Sequence, residues 1–218
     1  MASKAFIDSN VLANWLLLDG VITKIKDRGE AAVAELKKRS ERKWPSYLLL
    51  EEIRETGRFS PLKFGTSLLA LAETTTVIFN EYVASRLHEK NVPYQFWEWA
   101  RKREHLSESD VKDLLTQIQR FRHLYLWSKP SPMEWLNWVD FDAVANMIAQ
   151  GASTTDAFLV GAANEAGCKY FVSEDDPLRR ILRKVGSIRQ ISAQAMLDEL
   201  RKSNAGQKKL TREILVPR

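Results

Sequence analysis

The sequence has little of several features that define special classes of protein. One of its 218 residues is a cysteine, Cys168, so no disulfide can form within the chain, which suits a reducing compartment. It has no run of about 18 apolar residues that could span a bilayer, and its first residues lack the basic, apolar and cleavage regions of a secretory signal. We therefore expect a cytoplasmic protein without a membrane partner.

Composition and charge are those of an ordinary globular protein. Hydrophobic residues make up 44% and charged residues 28%, which argues against disorder. Collagen-like, low-complexity and disulfide-framework classes are excluded. Lys and Arg number 33 against 28 Asp and Glu, and the formal charge of +5 mildly favours an anionic partner. The length fits one α/β domain with an insertion.

Short apolar runs alternate with stretches of helical periodicity over most of the chain. Strands are predicted at residues 5–7, 62–66, 170–172 and 188–191. Helices are predicted after residues 8–10, over 29–42, 45–55, 67–79, 141–150 and 156–166, from Asp176, and from Ser192 to about residue 202. This alternation predicts a central parallel sheet flanked by helices on both faces.

The strand pattern disappears between Asn80 and Val139, so we predict a helical insertion over about 81–139. Behind Ser107, a good N-cap, one helical face carries Val111, Leu114, Leu115, Ile118, Phe121 and Tyr125. One domain is expected over 1–202, followed by a flexible basic tail over 203–218. The last four residues resemble the remnant of a thrombin-cleavable tag, with an intrinsic tail as the alternative.

Three acidic residues stand where strands end or helices begin. Asp8 follows the first strand, Asp175 follows the strand at 170–172, and Asp156 opens a helix. Ligands of open parallel sheets bind beyond the carboxyl ends of the strands. Asp8 and Asp175 should therefore face one crevice if their strands are neighbours.

A fourth acid, Glu73, shares a helical stripe with Leu69, Ala72, Thr76 and Val77, which predicts that its carboxylate faces the apolar side. Carboxylates gathered in a crevice repel one another, so they take up protons or bind a cation. Oxygen ligands select Mg²⁺ or Mn²⁺ over zinc, and the three histidines lack zinc-ligand spacing. Such an ion can orient water for attack on a phosphodiester.

Each acid also has a purely structural interpretation. Asp8 can serve as an N-cap, and Asp156 as the third residue of a capping box with the serine before it. Glu73 would be solvated if its helix were phased differently, and Asp175 can be a turn residue. We predict that Asp176, directly before a proline, caps its helix and leaves Asp175 free to bind an ion.

Four segments resemble, in chain order, the four motifs of the PIN-domain family. They are FIDSNVL at 6–12, TSLLALAE at 66–73, TDA at 155–157 and FVSED at 171–175. The resemblance extends over about 4–82 and 141–202. It implies a Rossmann-like parallel sheet and Mg²⁺- or Mn²⁺-dependent cleavage of single-stranded or structured RNA by an endoribonuclease.

The resemblance also implies roles for individual residues. The acidic metal-binding and catalytic cluster would be Asp8, Glu73, Asp156 and Asp175. Asn10 and Ser173 would support it by hydrogen bonds. Residues 45–52 offer a rival second motif with Glu51 or Glu52, and we favour Glu73 because a predicted strand precedes it.

Other functions stay open at this stage. An aspartyl-phosphate phosphotransferase usually needs a second carboxylate two residues after its nucleophile, where this chain has Asn10. A non-catalytic RNA- or protein-binding module on the same fold is the other alternative, including a toxin held inactive by an antitoxin partner. The long insertion departs from short toxin-type members, and a homodimer is compatible with the sequence.

The insertion is rich in tryptophan and cations. Five of the seven tryptophans are Trp97, Trp99, Trp127, Trp135 and Trp138. The cations predicted to bind RNA are Arg101, Lys102, Arg103, Arg120 and Arg122. Aromatic and cationic side chains together can stack bases and contact phosphates. The alternative is that the tryptophans pack the insertion onto the core and the cations form its solvated rim.

Overall fold

A five-stranded sheet forms the centre of the structure, a computed structural model that describes residues 3–215 apart from 26, 28 and 187, with side chains as far as 205. The strands are β1 (Lys4–Ile7), β2 (Lys63–Thr66), β3 (Met133–Trp135), β4 (Tyr170–Val172) and β5 (Arg189–Ile191). Their order is β3-β2-β1-β4-β5, and every pair is parallel. The predicted α/β class with a central parallel sheet is confirmed.

Helices connect the strands and pack in two groups. They are α1 (Ser9–Ile25), α2 (Glu30–Arg39), α3 (Trp44–Thr56), α4 (Leu68–Glu89), α5 (Trp97–Arg101), α6 (Glu108–Phe121), α7 (Phe141–Ala149), α8 (Thr154–Glu165), α9 (Asp176–Val185) and α10 (Ala193–Leu215). Helix α1 contacts α3, α4 and α6, and α7 contacts α8 and α9. Among the described residues, every helix is too short or too polar to cross a bilayer.

Side-chain caps set several of the helix starts. The Ser67 hydroxyl accepts a hydrogen bond from the backbone N–H of Ala70 at 3.1 Å, which begins α4. Ser107 and Asp110 form a reciprocal capping box at the start of α6. The N-caps predicted at Ser67 and Ser107 are therefore confirmed.

The core lies on both sides of the two central strands, β1 and β4. Phe6 and Phe171 are fully buried and stack with their ring centroids 5.2 Å apart. A strand covered on both faces needs a continuous apolar run rather than an alternating one. This is why Ala5-Phe6-Ile7 and Tyr170-Phe171-Val172 predict buried strands in spite of their shortness.

The insertion contributes a strand that its sequence does not indicate. Met133–Trp135 forms the edge strand β3, which pairs with β2, and the N–H of Leu136 continues the ladder to the carbonyl of Thr66 at 2.8 Å. The expectation of an entirely helical segment is wrong here. Three residues are too few to show a period of two, so pairing with an existing strand decides their conformation.

Phe121 and Tyr125 anchor the insertion to the core, and of the five tryptophans Trp135 packs against it. Their rings pack against Trp15 of α1 at centroid distances of 5.9 and 5.1 Å. Trp99, Trp127 and Trp138 are exposed, Trp138 by 83%. The interpretation that these tryptophans pack the insertion onto the core is wrong for these three.

Two further expectations differ from the structure. Val111 and Leu115, assigned to the apolar face of α6, are exposed, whereas Leu114 is buried. Helix α10 continues to Leu215 instead of ending near residue 202. The predicted tag remnant falls largely on residues 216–218, outside the described residues.

Close packing between α7 and α8 depends on a glycine. A Cβ atom added to Gly161 would lie 2.6 Å from Val144 Cγ2 and 2.9 Å from Val139 Cγ1. Gly161→Ala should therefore lower the free energy of unfolding by about 1 to 3 kcal/mol, measured by urea denaturation.

Gly20→Ala in α1 is the matched control. There the new methyl group would meet only the amide end of Gln117, at 3.0 Å. This variant should keep or slightly gain stability, because alanine is favoured over glycine in helices by about 1 kcal/mol. Equal losses in the two variants would contradict the packing argument.

Candidate functional site

A crevice opens where the two central strands end. From β1 the chain crosses to β2 and β3 on one side of the sheet, and it returns to β4 and β5 on the other. Such a reversal leaves a crevice beyond the carboxyl ends of the strands, the usual ligand site of open α/β sheets. Because β1 and β4 are neighbours, Asp8 and Ser173 follow them at the same edge.

Asp8 is the most buried acid of this crevice. Its side chain is 3% exposed and accepts hydrogen bonds from the N–H of Ser9 at 2.7 Å and from Asn10 Nδ2 at 2.7 Å. Asn10 Nδ2 also donates to Ser173 Oγ at 2.9 Å, and Asn10 Oδ1 accepts from the N–H of Glu174 at 3.1 Å. Asn10 thus links the ends of β1 and β4 and holds the Asp8 carboxylate between them.

Burial raises the pKa of Asp8 from 3.8 to about 7. The Ser173 hydroxyl and the backbone N–H of Ser9 act in the opposite direction, because they stabilise the ionised carboxylate. The negative charges of Glu73 and Asp156 raise the pKa further. Three of the four predicted acids are therefore close enough to interact electrostatically.

Helix α4 carries Glu73 to the crevice. The neighbouring Thr74 donates from its hydroxyl to the carbonyl of Ser9 at 3.1 Å, which fixes this turn of α4 beside the start of α1. Glu73 is half-buried, and its Oε2 atom is buried and accepts no hydrogen bond from any described residue. An unpaired buried carboxylate oxygen is costly unless a proton or a cation compensates it.

The helical stripe predicted around Glu73 is not the buried one. Leu69 and Ala72 are exposed and line a groove of about 530 Å³, whereas Ala70 and Leu71 are buried. Glu73 therefore stands at the border between core and groove. The error arises because the apolar residues of this turn serve both the core and the groove.

Asp156 contacts the serine that caps its own helix. It lies in the first turn of α8, where its N–H donates to Ser153 Oγ at 3.1 Å and its Oδ2 accepts from that hydroxyl at 2.7 Å. Ser153 is thus the N-cap of α8, but Asp156 accepts from the hydroxyl of Ser153 rather than from its backbone N–H, so only half of the predicted capping box forms. The same carboxylate still raises the pKa of Asp8, so it also belongs to the electrostatics of the crevice.

Asp175, not Asp176, caps helix α9. Asp175 Oδ1 accepts a hydrogen bond from the N–H of Leu178 at 2.8 Å, whereas Asp176 is the first helical residue and forms an ion pair with Arg179 at 2.8 Å. The prediction that Asp176 caps the helix and leaves Asp175 free is wrong. A proline at the second helical position is as compatible with this start as one at the first.

The rival second motif lies in a different environment. Glu51 accepts a hydrogen bond from Trp15 Nε1 at 3.0 Å and forms an ion pair with Arg54 at 2.5 Å. The Trp15 hydrogen bond joins α3 to α1, and the ion pair lies within α3. Glu51 therefore already has partners that balance its charge, which Glu73 Oε2 lacks among the described residues.

The four acids do not converge on one point. Within the described part of the chain, no three His, Cys, Asp or Glu side chains are grouped so that they could hold a metal ion. The residues with acceptor capacity toward a cation are Asp8 and Glu73, with Asp156 nearby. Four-carboxylate metal binding stays a prediction.

The cations of the insertion have varied surroundings. Arg120 forms an ion pair with Asp19 at 3.2 Å, and the Arg122 guanidinium lies 4.0 Å from the ring centroid of Trp127. Arg103 lies 4.0 Å from the ring centroid of Trp99, and Arg101 and Lys102 are exposed.

Three of these cations are remote from the acids. Arg101, Lys102 and Arg103 stand at the end of α5, and the adjacent Glu104 forms an ion pair at 2.7 Å with Lys90, the residue after α4. Glu73 lies near the start of α4, about 24 Å away along the helix axis. RNA would have to extend across this distance to contact both.

Comparison with known proteins identifies a relative without a described activity. No family model matches the chain. A protein of Archaeoglobus fulgidus named only as an uncharacterized protein is 33% identical over 116 residues, which are 52% of this chain and 92% of that protein. The shared part is thus nearly all of the archaeal protein and half of this chain.

The raised pKa of Asp8 predicts a pH-dependent stability. The folded protein keeps this proton up to about pH 7, whereas the unfolded chain releases it near pH 4, so stability falls as the pH rises between these values. Relative to the non-titrating Asp8→Asn variant, the wild type should lose about 2 kcal/mol between about pH 5 and about pH 8. Urea denaturation in a metal chelator measures both proteins, and parallel pH profiles would contradict the burial of this charge.

Proposed function

We propose the function from the site, because the chain belongs to the same family as the archaeal protein and the name of that protein gives no activity. The protein is a Mg²⁺- or Mn²⁺-dependent endoribonuclease that hydrolyses phosphodiester bonds of single-stranded RNA in the cytoplasm. The observation that carries this proposal is the presence of two buried acidic groups in one crevice. Asp8 has a pKa of about 7, and one buried oxygen of Glu73 accepts no hydrogen bond from any described residue. The likeness of four segments to PIN-domain motifs supports the same function.

The chemistry of the donors suits a hard divalent cation. Asp8, Glu73 and Asp156 offer only oxygen atoms, and their mutual repulsion falls when a positive charge is bound among them. Mg²⁺ usually keeps several water ligands and binds proteins through one or two carboxylates, so a full cage of side chains is unnecessary. When bound, such an ion supplies an activated water and neutralises charge on the phosphate.

The surrounding residues hold the acids in position. Asn10 orients Asp8 through its amide, and Thr74 fixes the turn that carries Glu73. Asp175 uses Oδ1 as a helix cap, so Oδ2 is the oxygen that we assign to a bound ion. No covalent nucleophile is required, because water attacks the phosphorus.

The aspartyl-phosphate alternative is less well supported. Asp8 is 3% exposed, and both of its oxygens accept hydrogen bonds from neighbouring residues. A nucleophile needs an open path to the phosphorus atom. The residue two positions later is Asn10, which donates to Asp8 and cannot serve as the second carboxylate.

A non-catalytic binding module is the second candidate. The exposed Trp138 and the groove beside Glu73, lined by Leu68, Leu69 and Phe158, favour it. Apolar surface next to a polar site suits either nucleobases or a protein partner such as an antitoxin. RNA cleavage decides between this candidate and the nuclease.

Cleavage should depend on Glu73 and not on Glu51. With Mn²⁺ and a labelled single-stranded RNA, Asp8→Asn and Glu73→Gln should each lower the cleavage rate by about 100-fold or more, on the scale of disrupting a metal site. Glu51→Gln is the matched control, because it removes one charge from a helix but keeps an acceptor for Trp15. A loss with Glu51→Gln and none with Glu73→Gln would place the second motif on α3.

Metal binding should be visible without catalysis. At about 100-fold excess over the dissociation constant, Mn²⁺ should raise the melting temperature by roughly 5 to 10 °C, with a larger shift near pH 8 than near pH 6, where protons compete for Asp8. Asp175→Asn should reduce this shift while it keeps the helix cap, because asparagine caps as well as aspartate.

Asp156→Asn tests the remaining acid in the same way. An unchanged shift in both the Asp156 and the Asp175 variants would remove these two residues from the metal site. No shift in the wild type at either pH would contradict the metal-dependent mechanism.

A further inference from the structure

A second charged surface lies at the edge of the sheet opposite to β3. A groove of about 490 Å³ is formed by α9, the residue before β4 and the start of β5. Four cations line it: Lys169, Arg179, Arg183 and Arg189. Leu182 and Ile188 form its apolar floor, and none of the described residues that line it is acidic.

Most of this positive charge has no acidic partner among the side chains that the structure describes. Arg179 forms an ion pair with Asp176 at 2.8 Å. Lys169, Arg183 and Arg189 are exposed, and no described carboxylate lies within ion-pairing distance of them. Like charges that share a groove repel one another, so an anion bound there would relieve the repulsion.

The groove lies toward the amino ends of β4 and β5, and α9 connects it to the acidic crevice at their carboxyl ends. Asp175 caps α9 at the crevice, and the N–H of Arg179 donates to the Asp175 carbonyl one turn later. The ten residues of α9 extend for about 15 Å from there. Since phosphates follow one another at about 3.4 Å along a stacked strand, α9 matches the length of about four nucleotides.

We propose that this groove binds the sugar–phosphate backbone of single-stranded RNA and guides it to the acidic crevice. The proposal rests on the proposed function for the identity of the polyanion. Arginine contacts phosphates through two parallel N–H groups, and an apolar floor without stacking aromatics favours contact independent of base sequence. Among the described residues, none of the exposed large apolar side chains lies on α9 or β5, which disfavours a membrane surface.

The experiment measures RNA binding without cleavage. A labelled oligouridine of about 20 nucleotides is titrated with protein in a metal chelator over a series of salt concentrations. The triple variant Lys169→Gln, Arg183→Gln, Arg189→Gln removes the three cations without acidic partners. The matched control Lys37→Gln, Lys38→Gln, Arg42→Gln removes the same charge from an exposed region around the end of α2.

Each phosphate contact to a single strand contributes a salt slope of about −0.7. The groove variant should therefore flatten the slope by about 2 and weaken binding in 0.1 M salt by up to roughly 100-fold. The control should keep the wild-type slope. A third variant, Arg183→Lys with Arg189→Lys, should also keep the slope, because it preserves the charge.

Two results would overturn the proposal. One is a groove variant that binds RNA with the affinity and slope of the control. The other is binding of anionic phospholipid vesicles through these cations while RNA binding is unaffected by their removal. If RNA binds as expected but is not cleaved with Mn²⁺, the nuclease proposal is contradicted and the groove proposal is supported. If RNA is cleaved and the groove variant keeps the wild-type salt slope, the nuclease proposal is supported and the groove proposal is contradicted.

Discussion

The buried carboxylate of Asp8 is the constraint around which the rest of the crevice is arranged. A carboxylate loses favourable hydration when it is 3% exposed, and two hydrogen bonds from Ser9 and Asn10 replace that hydration only in part. The parallel pairing of β1 and β4 keeps Asp8 there, because the same pairing aligns the stacked Phe6 and Phe171 of the core. The fold therefore holds Asp8 at a buried position where ionisation of its carboxyl group is unfavourable.

The acids around Asp8 fall into two kinds. Asp175 caps α9 and Asp156 accepts from the hydroxyl of Ser153, the cap of α8, so a backbone N–H and a serine hydroxyl take up part of their acceptor capacity. Asp8 and Glu73 make no cap of this kind, and Glu73 Oε2 lies buried without a donor among the described residues. A bound cation would therefore interact most strongly with Asp8 and Glu73. The hydrogen bonds at the helix starts fix the orientation of Asp156 and Asp175.

Sequence patterns predicted the parts of the fold that depend on local chemistry. Four strands and the caps at Ser67 and Ser107 follow from apolar runs and polar start residues. Strand β3 depends on its neighbour β2 rather than on its own three residues, so no local pattern could predict it. The choice between Asp175 and Asp176 as the cap depends on where β4 ends, because either aspartate satisfies the local preference.

The distribution of charge explains why a basic chain can hold an acidic crevice. In the insertion, Arg86 is paired with Asp110 and Arg120 with Asp19, so part of its positive charge is balanced internally. Three groove cations beside α9 lack an acidic partner among the described residues. Helix α9 connects them to Asp175, which caps its first turn. An anionic polymer that extended from that surface along α9 would bring phosphates toward carboxylates that repel them. A proton on Asp8 or a cation bound in the crevice would lower this repulsion, so a divalent ion would favour the approach of RNA from the basic groove at a pH where Asp8 is ionised.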